Sequence, residues 1–261
     1  MPDQLSDVEL QCSSQELFTL AALLGAEALV GVSDPFPGWL TEEIQEVMRQ
    51  AQQRLAEREV LRFVNSQWQM SACIALLLST LIEPQAVLLA NLSLMTGEYQ
   101  QLVFYARSPF FTELTVTCAE SYRLRLLEEG DQVLTRIQDF WQVDAQLSPP
   151  AANSFLLPKK TLDQACQVLE QAESLLKPYG MAGETFLHSL HTAQRNGAVV
   201  AMRRSATWQV GGKGFLQGEN GLWLLRSVQQ SGESWVEVIP SDAQALLGEL
   251  HTLLQLFWVG K

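Results

Sequence analysis

Two histidines at helical spacing are the first candidates for chemistry. His188 and His191 lie three residues apart in a predicted helix, and Glu184 precedes His188 by one turn. This spacing places the three side chains on adjacent faces, as a metal site requires. The match is short and lacks the HExxH form. We therefore favour a surface helix, with Leu187 and Leu190 on its buried face, and predict no bound metal.

A glycine-rich segment is the next candidate, because it could cradle a phosphate group. Gly211 to Gly214 include Lys213, but the segment lacks the P-loop spacing and the Ser or Thr that follows its lysine. A strand pattern follows, where a phosphate cradle needs a helix N-terminus. We predict a hairpin, with the glycines between 211 and 221 in turns or a flexible loop, and no cofactor.

No arrangement typical of an enzyme stands out among the remaining residues. The sequence has no GxSxG motif, and no cysteine has a histidine partner visible in the sequence. Glu128 and Glu129 flank a turn and are expected to be solvated. Nothing among these residues argues for an enzyme. An enzyme whose site assembles from distant residues is an alternative.

Composition narrows the classes of partner. The chain has 261 residues, 47% of them hydrophobic, and a formal net charge of −12. Such a charge repels a nucleic acid duplex or an anionic membrane, so we predict neither as a partner. The N-terminus has no features of a secretory signal, and no apolar run reaches the length of a membrane span. The four cysteines are widely spaced and are expected to be small core residues of a cytoplasmic protein. They are Cys12, Cys73, Cys118 and Cys166.

The first part of the chain reads as helices, a short hairpin, a meander and a closing helix. The expected elements are helices over 17–24 and 41–58, strands over 60–64 and 68–70, a fully buried helix over 71–82, strands over 86–94, 99–107, 111–117 and 122–127, and a helix over 131–143. Helix, helix and hairpin are typical of a winged-helix unit, so a transcriptional regulator using residues 13–70 is an alternative. The second helix carries Glu42, Glu43 and Glu46, which disfavours contact with DNA.

The second part of the chain repeats this pattern of elements. The expected elements are a long helix bearing Leu162 to Leu176, a helix over 184–194, strands over 198–202, 206–210, 221–228 and 234–239, and a helix from Ser241 to Trp258. We therefore predict an α+β fold, a quasi-twofold duplicated unit with a central antiparallel sheet flanked by helical bundles. The halves are residues 1–145 and 154–261, joined by a linker at 145–153, and together they are expected to form one compact domain.

Aromatic residues near predicted turns are the feature that a plain globular domain does not explain. Phe110 and Phe111 follow Pro109, and a loop that displays aromatic side chains is typical of a contact surface. Aromatic residues also lie near predicted turns at four other positions. They are Phe36, Trp39, Phe215 and Trp223.

The order of elements resembles the EspG family of mycobacterial type VII secretion, whose members are cytosolic chaperones for PE–PPE substrate pairs. The resemblance covers most of the chain. It is carried by the leucine-rich helix 17–24, the helix ending at 55–61 with its hairpin through Trp68, the buried helix before Pro84, the strands over 86–125, and Ser234-Trp235 to Pro240 before the last helix.

This resemblance implies a binding protein that is not an enzyme, with a quasi-twofold fold and a central antiparallel sheet flanked by helices. In the family, a loop beside the sheet and the C-terminal helical part clasp a hydrophobic tip of the substrate. The resemblance thus implies a protein partner with an exposed hydrophobic segment, shielded for secretion. A homodimer through an apolar surface is an alternative. The partner contacts that we predict are Met95, Gly97, Pro109, Phe110, Phe111, Phe215 and Trp258.

Overall fold

The computed structural model describes residues 8–26, 28–118 and 121–258, with the side chains of Cys118 and residues 256–258 excepted. The strands are β1 (Glu9–Ser13), β2 (Leu61–Val64), β3 (Gln67–Met70), β4 (Ala86–Leu94), β5 (Tyr99–Arg107), β6 (Phe110–Cys118), β7 (Ser121–Leu127), β8 (Phe155–Pro158), β9 (Arg195–Arg204), β10 (Trp208–Gly218), β11 (Gly221–Gln230) and β12 (Glu233–Ser241). The helices are α1 (Ser14–Leu23), α2 (Thr41–Glu57), α3 (Ala72–Ile82), α4 (Gly130–Trp141), α5 (Lys159–Gln167), α6 (Leu169–Leu176), α7 (Gly180–His191) and α8 (Ala243–Trp258).

The chain divides into two compact units that alternate along the sequence. Unit 1 contains the described residues up to Leu89, then Gln101–Val133 and Arg203–Ala206. Unit 2 contains Ala90–Gln100, Leu134–Met202 and the described residues from Thr207 onwards. The outer end of the β4–β5 hairpin therefore belongs to unit 2. The predicted halves are consecutive in sequence, and their boundaries and the duplication stay predictions.

The sheet strands of unit 1 follow the order β1-β7-β6-β5-β4 and pair antiparallel. In β7, Leu124 and Leu126 are fully buried because side chains alternate between the two faces of a strand. On the other face, Arg125 lies opposite Glu9 of β1 and forms an ion pair of 3.1 Å with it.

The helices of unit 1 are held by a buried carboxylate. Ser13 caps α1, and Glu16 completes the capping box by accepting a hydrogen bond of 2.9 Å from the Ser13 amide. Glu16 also pairs with Arg54 and Arg58 at the end of α2, at 3.6 and 3.1 Å. Such a carboxylate is tolerated in the interior because its hydrogen-bonding capacity is filled.

The sheet strands of unit 2 follow the order β9-β10-β11-β12-β8. Helix α7 covers this sheet, and its Phe186 is fully buried with the ring centroid 5.3 Å from that of Trp223 in β11. The indole nitrogen of Trp223 donates a hydrogen bond of 2.8 Å to the Ser189 hydroxyl. A buried tryptophan thus has its polar atom satisfied, as stability requires.

The structure confirms the α+β class and the large antiparallel sheet. The meander β4 to β7 lies close to its expected bounds. Strands β2 and β3 form the expected hairpin. The winged-helix interpretation of residues 13–70 as a whole stays a prediction. Strands β1 and β8 were not predicted.

Four expectations about local structure are wrong. Gly211 to Gly214 lie in the extended strand β10 and not in a loop. The long helix of the second part is broken at Val168, which separates α5 from α6. The helix α3 is not fully buried, because its first turn is exposed. Cys73 in that turn and Cys166 at the end of α5 are exposed, so neither is a core residue.

Candidate partner-binding site

The tip of the β4–β5 hairpin displays apolar side chains on a hydrogen-bonded turn. The Leu94 amide donates to the Glu98 carbonyl at 3.0 Å, and the Gly97 amide donates to the Leu94 carbonyl at 2.9 Å. Gly97 has φ +79°, a conformation that glycine adopts without strain. Met95 is 73% exposed and Tyr99 is 60% exposed. The turn therefore presents a methionine to solvent on a fixed backbone.

The hairpin tip is joined to the corner between α7 and β9. The Met95 amide donates a hydrogen bond of 3.2 Å to the Gln194 carbonyl, and the Gln194 amide donates one of 2.8 Å to the Gln217 carbonyl in β10. These bonds tie the turn to the sheet of unit 2. The exposed methionine consequently lies beside the residues that precede β9.

An apolar cavity of about 350 Å³ opens at the same corner. The cavity is lined in part by Ala193, which precedes Gln194, and by Asn196, which lies two residues after it. Gln194 is the residue that accepts the hydrogen bond from the Met95 amide. The other walls of the cavity come from α5, α6, α7 and the sheet, and include Leu162, Leu169, Phe186, Leu190, Phe215, Leu216 and Leu225. None of its lining residues is Asp, Glu, Lys or Arg, so the cavity is suited to an uncharged apolar group.

The floor of the cavity is closely packed around Gly197. A side chain at Gly197 would place its Cβ 2.5 Å from the Asn91 carbonyl oxygen and 2.7 Å from the Phe215 ring. The Asn91 carbonyl accepts a hydrogen bond of 2.9 Å from the Trp141 indole, and the Trp141 and Phe215 rings are 4.6 Å apart. The Asn91 side chain accepts one of 2.7 Å from the Ala198 amide. This floor leaves no room for repacking.

Cys166 lies at the cavity and is the lining residue with a titratable side chain. Although Cys166 as a residue is exposed, neighbouring protein atoms partly desolvate its thiol, and this desolvation, followed by the Asp163 carboxylate, raises the pKa of the thiol. A raised pKa keeps the thiol protonated at neutral pH, whereas a nucleophilic cysteine needs a thiolate. The raised pKa therefore disfavours Cys166 as a nucleophile.

The histidines of α7 lie on the surface. His188, His191 and Glu184 are exposed, while Leu187 and Leu190 pack against the core of unit 2. Among the residues that the structure describes, no group of three or more His, Cys, Asp or Glu side chains is placed to hold a metal ion.

The structure separates the predicted contact residues into two groups. Met95 and Gly97 share the β4–β5 turn of unit 2. Pro109 is exposed, and Phe110 and Phe111 are half-buried where β6 begins in unit 1.

Two other predicted contacts have different outcomes. Phe215 is fully buried in β10, so the expectation that a turn displays it is wrong. The same holds for Trp223, which is fully buried in β11. Trp258 ends α8, and its side chain lies outside the described part.

Sequence reasoning missed Tyr99 and the cavity. Tyr99 comes two residues after Gly97 of the Thr96-Gly97 turn signal, so its position near the hairpin tip could have been found. The cavity could not be found from the sequence, because its lining comes from separate segments between Asn91 and Leu225.

Within the described residues, no helix is long and apolar enough to span a membrane.

Comparison with known proteins gives a structural match without a sequence match. No family model matches this sequence, and no curated protein matches it. An inactive mutant of the CurK dehydratase aligns over 62% of this chain and 77% of its own at 13% identity, with a TM-score of 0.12, and supports no inference. The type VII secretion system chaperone EspG5 of Mycobacterium tuberculosis, solved in complex with a PE25–PPE41 dimer, aligns over 97% of this chain and 98% of its own at 14% identity, with a TM-score of 0.67. The chain therefore has the fold of EspG5, at a sequence identity that marks a distant likeness.

Proposed function

We propose that this protein is a non-enzymatic, chaperone-like protein of the cytoplasm that shields an exposed hydrophobic segment of a protein partner. The segment contacts the hairpin tip at Met95 and Tyr99 and inserts an apolar side chain into the neighbouring cavity. One observation carries the proposal. A methionine that is 73% exposed sits on a turn whose amide is hydrogen-bonded to the rim of an apolar cavity.

The physical properties of the site favour a protein segment. Methionine is flexible and polarizable, so it adapts to apolar surfaces of different shape. The hydrogen-bonded turn around Gly97 is already ordered, which reduces the entropy lost on binding. The solved structure of EspG5 with a PE25–PPE41 dimer supports a protein partner for this fold. By that analogy, the partner is a protein destined for secretion.

The alternative of a winged-helix regulator gains no support from the charges on α2. Glu42, Glu43 and Glu46 are exposed, and a recognition helix needs basic or amide side chains there. Arg54 and Arg58 are paired with the buried Glu16. The helix therefore presents carboxylates where DNA would present phosphates.

Photo-crosslinking tests whether the hairpin tip contacts a partner. The photoreactive residue p-benzoyl-phenylalanine replaces Met95 in one variant and Met181 in the other, both expressed in the source cells. Met181 is the matched control because it is an exposed methionine of unit 2, at 75% against 73%. We expect a discrete protein adduct at position 95 and none at 181. Equal adducts at both positions, or none at 95, would contradict the proposal.

The captured partner then allows a quantitative test with purified proteins. Met95→Asp places a charge where the partner's apolar segment packs, and we expect affinity to fall about tenfold or more. Met181→Asp makes the same change at equal exposure and should leave affinity within twofold. Calorimetric titration measures both affinities, and thermal unfolding confirms that the variants remain folded.

A further inference from the structure

The charge of the chain is concentrated at its N-terminal end. The first 48 residues contain nine Asp or Glu residues and no Lys, Arg or His. Cations from later in the chain neutralise some of these carboxylates. Glu9 pairs with Arg125, Glu46 with Arg49, and Glu16 with two arginines of α2.

Three carboxylates in this segment have no such partner. In the described part of the chain, no basic side chain forms an ion pair with Asp34, Glu42 or Glu43. Asp34 accepts a hydrogen bond of 2.8 Å from the Phe36 amide, and Glu43 accepts one of 3.0 Å from the Leu40 amide. Backbone amides orient these two carboxylates, and the N-terminus of α2 favours the charge of Glu43, but no basic side chain of the described part pairs with either.

An apolar groove of about 340 Å³ lies in the same segment of unit 1. It is formed by α1, α2 and the connection between them, and Asp34 is part of its lining. Its apolar lining includes Phe18, Ala22, Ile44 and Met48. Exposed apolar side chains adjoin it, because Trp39 is 42% exposed and packs edge-on against the groove residue Phe36 at 5.7 Å. Leu40, the next residue, is 65% exposed.

We propose that this groove of unit 1 binds a short amphipathic segment of a protein, with apolar side chains on one face and Lys or Arg beside them. Helical segments are commonly bound in apolar grooves in this way. Charge complementarity selects the occupant. The carboxylates of Asp34, Glu42 and Glu43 attract a cationic segment, whereas a nucleic acid, an anionic membrane or a second copy of this chain, with its net charge of −12, is repelled. This binding site is separate from the hairpin tip and independent of the proposed function.

Synthetic peptides test the charge requirement directly. The probe is a fluorescein-labelled amphipathic helix of 18 residues built from Leu and Lys, and its sibling has every Lys replaced by Glu. Fluorescence anisotropy with the full-length protein measures both affinities. We expect the Lys peptide to bind at least tenfold more tightly than the Glu peptide, and its affinity to fall as salt is raised. Equal binding of both peptides would overturn the proposal.

Filling the groove tests its position. Ala22 is an exposed residue of α1 that lines the groove, so Ala22→Phe places a ring in it. Ala72→Phe is the matched control, since Ala72 is an exposed helical alanine outside the groove lining. We expect Ala22→Phe to weaken binding of the Lys peptide tenfold or more, and Ala72→Phe to leave it within twofold. Met95→Asp should also leave it unchanged. Equal effects of the two Phe variants would overturn the assignment.

Removing the charges tests the role of the carboxylates. Asp34→Asn with Glu43→Gln keeps hydrogen-bond acceptors at both positions, and we expect a three- to tenfold weaker affinity for the Lys peptide, about what two exposed ion pairs contribute. Glu57→Gln with Glu129→Gln changes the net charge of unit 1 equally and should alter affinity less than twofold. An equal loss in both double variants would mean non-specific attraction and would overturn the proposal. So would a dimer in sedimentation that Ala22→Phe dissociates, because the occupant would then be a second copy.

Discussion

Two apolar recesses among the described residues, one in each unit, have nearly the same volume and differ in how they are built. The cavity of unit 2, about 350 Å³, is floored by strands and includes fully buried residues such as Phe186 and Phe215. The groove of unit 1, about 340 Å³, lies between helices and a connection, and its Phe18 and Met48 are half-buried. The cavity thus opens into the packed core of unit 2, while the groove lies between helices, with Leu29 and Phe36 as its buried residues.

The charges around the two recesses differ as well. The cavity lining contains no Asp, Glu, Lys or Arg, and elsewhere in unit 2 Glu249 of α8 pairs with Lys213 of β10 and Arg226 of β11. The groove has Asp34 in its lining with no ion pair among the described residues. A recess of the first kind selects an occupant by shape and apolar character, and one of the second kind also selects it by charge.

Truncating one phenylalanine in each recess gives the largest expected contrast. Phe186→Ala removes a fully buried ring that packs on Trp223 at 5.3 Å and Phe155 at 5.8 Å. We expect it to lower the free energy of unfolding by about 3–5 kcal/mol. Phe18→Ala removes a half-buried ring and should cost about 1–2 kcal/mol. Urea denaturation at a constant m-value measures both, and equal losses would contradict the distinction between core and surface.

A methyl group added to the cavity floor is expected to have the next largest effect. Gly197→Ala puts a Cβ 2.5 Å from the Asn91 carbonyl oxygen, and the Trp141 indole fixes that carbonyl. We expect a loss of about 2–3 kcal/mol, as overpacking of a rigid core gives.

The control for this change is the same substitution in a helix. Gly248 is exposed within α8, and no atom lies within 4 Å of its added Cβ. Gly248→Ala should therefore stabilise the protein by about 0.5–1 kcal/mol. Thermal unfolding of both variants measures whether each substitution raises or lowers the stability. A stabilising Gly197→Ala would show that the cavity floor can relax.

The parts of the fold that the sequence predicts are those with a local pattern. Leu124 and Leu126 alternate with arginines because a strand exposes one face and buries the other, and β7 lies where this pattern indicates. The exposed Met95 follows from the turn signal at Gly97. In these places the physical cause lies within a few residues of sequence.

The parts that the sequence does not predict depend on distant neighbours. Gly214 reads as a turn residue, yet it lies in a strand, where an added Cβ would be 3.3 Å from the Gly197 carbonyl oxygen. Strand β1 is short and forms by pairing with β7, more than a hundred residues later. Phe215 reads as a displayed aromatic residue and is buried against Trp141. Such contacts cannot be inferred from local spacing.

The smallest expected contrast is between a paired and an unpaired carboxylate. Partial burial by itself would raise the pKa of Glu249, but hydrogen bonds and charge from Lys213 and Arg226 outweigh it and lower the pKa below its usual value of 4.5. A lowered folded-state pKa means that the pairing stabilises the protein at neutral pH. That stabilisation is lost as the pH falls below 4.5 and through the folded-state pKa.

We therefore expect Glu249→Gln to cost about 1 kcal/mol at neutral pH, a modest value because the side chain is partly exposed to solvent. The difference from the wild type should shrink as the pH is lowered from neutral to below 4.5. Asp34→Asn, at the groove, should change the stability by less than about 0.5 kcal/mol at either pH, because it breaks no ion pair. Urea denaturation across this pH range compares the two variants. A pH-independent effect of Glu249→Gln would mean that its packing matters and its charge does not.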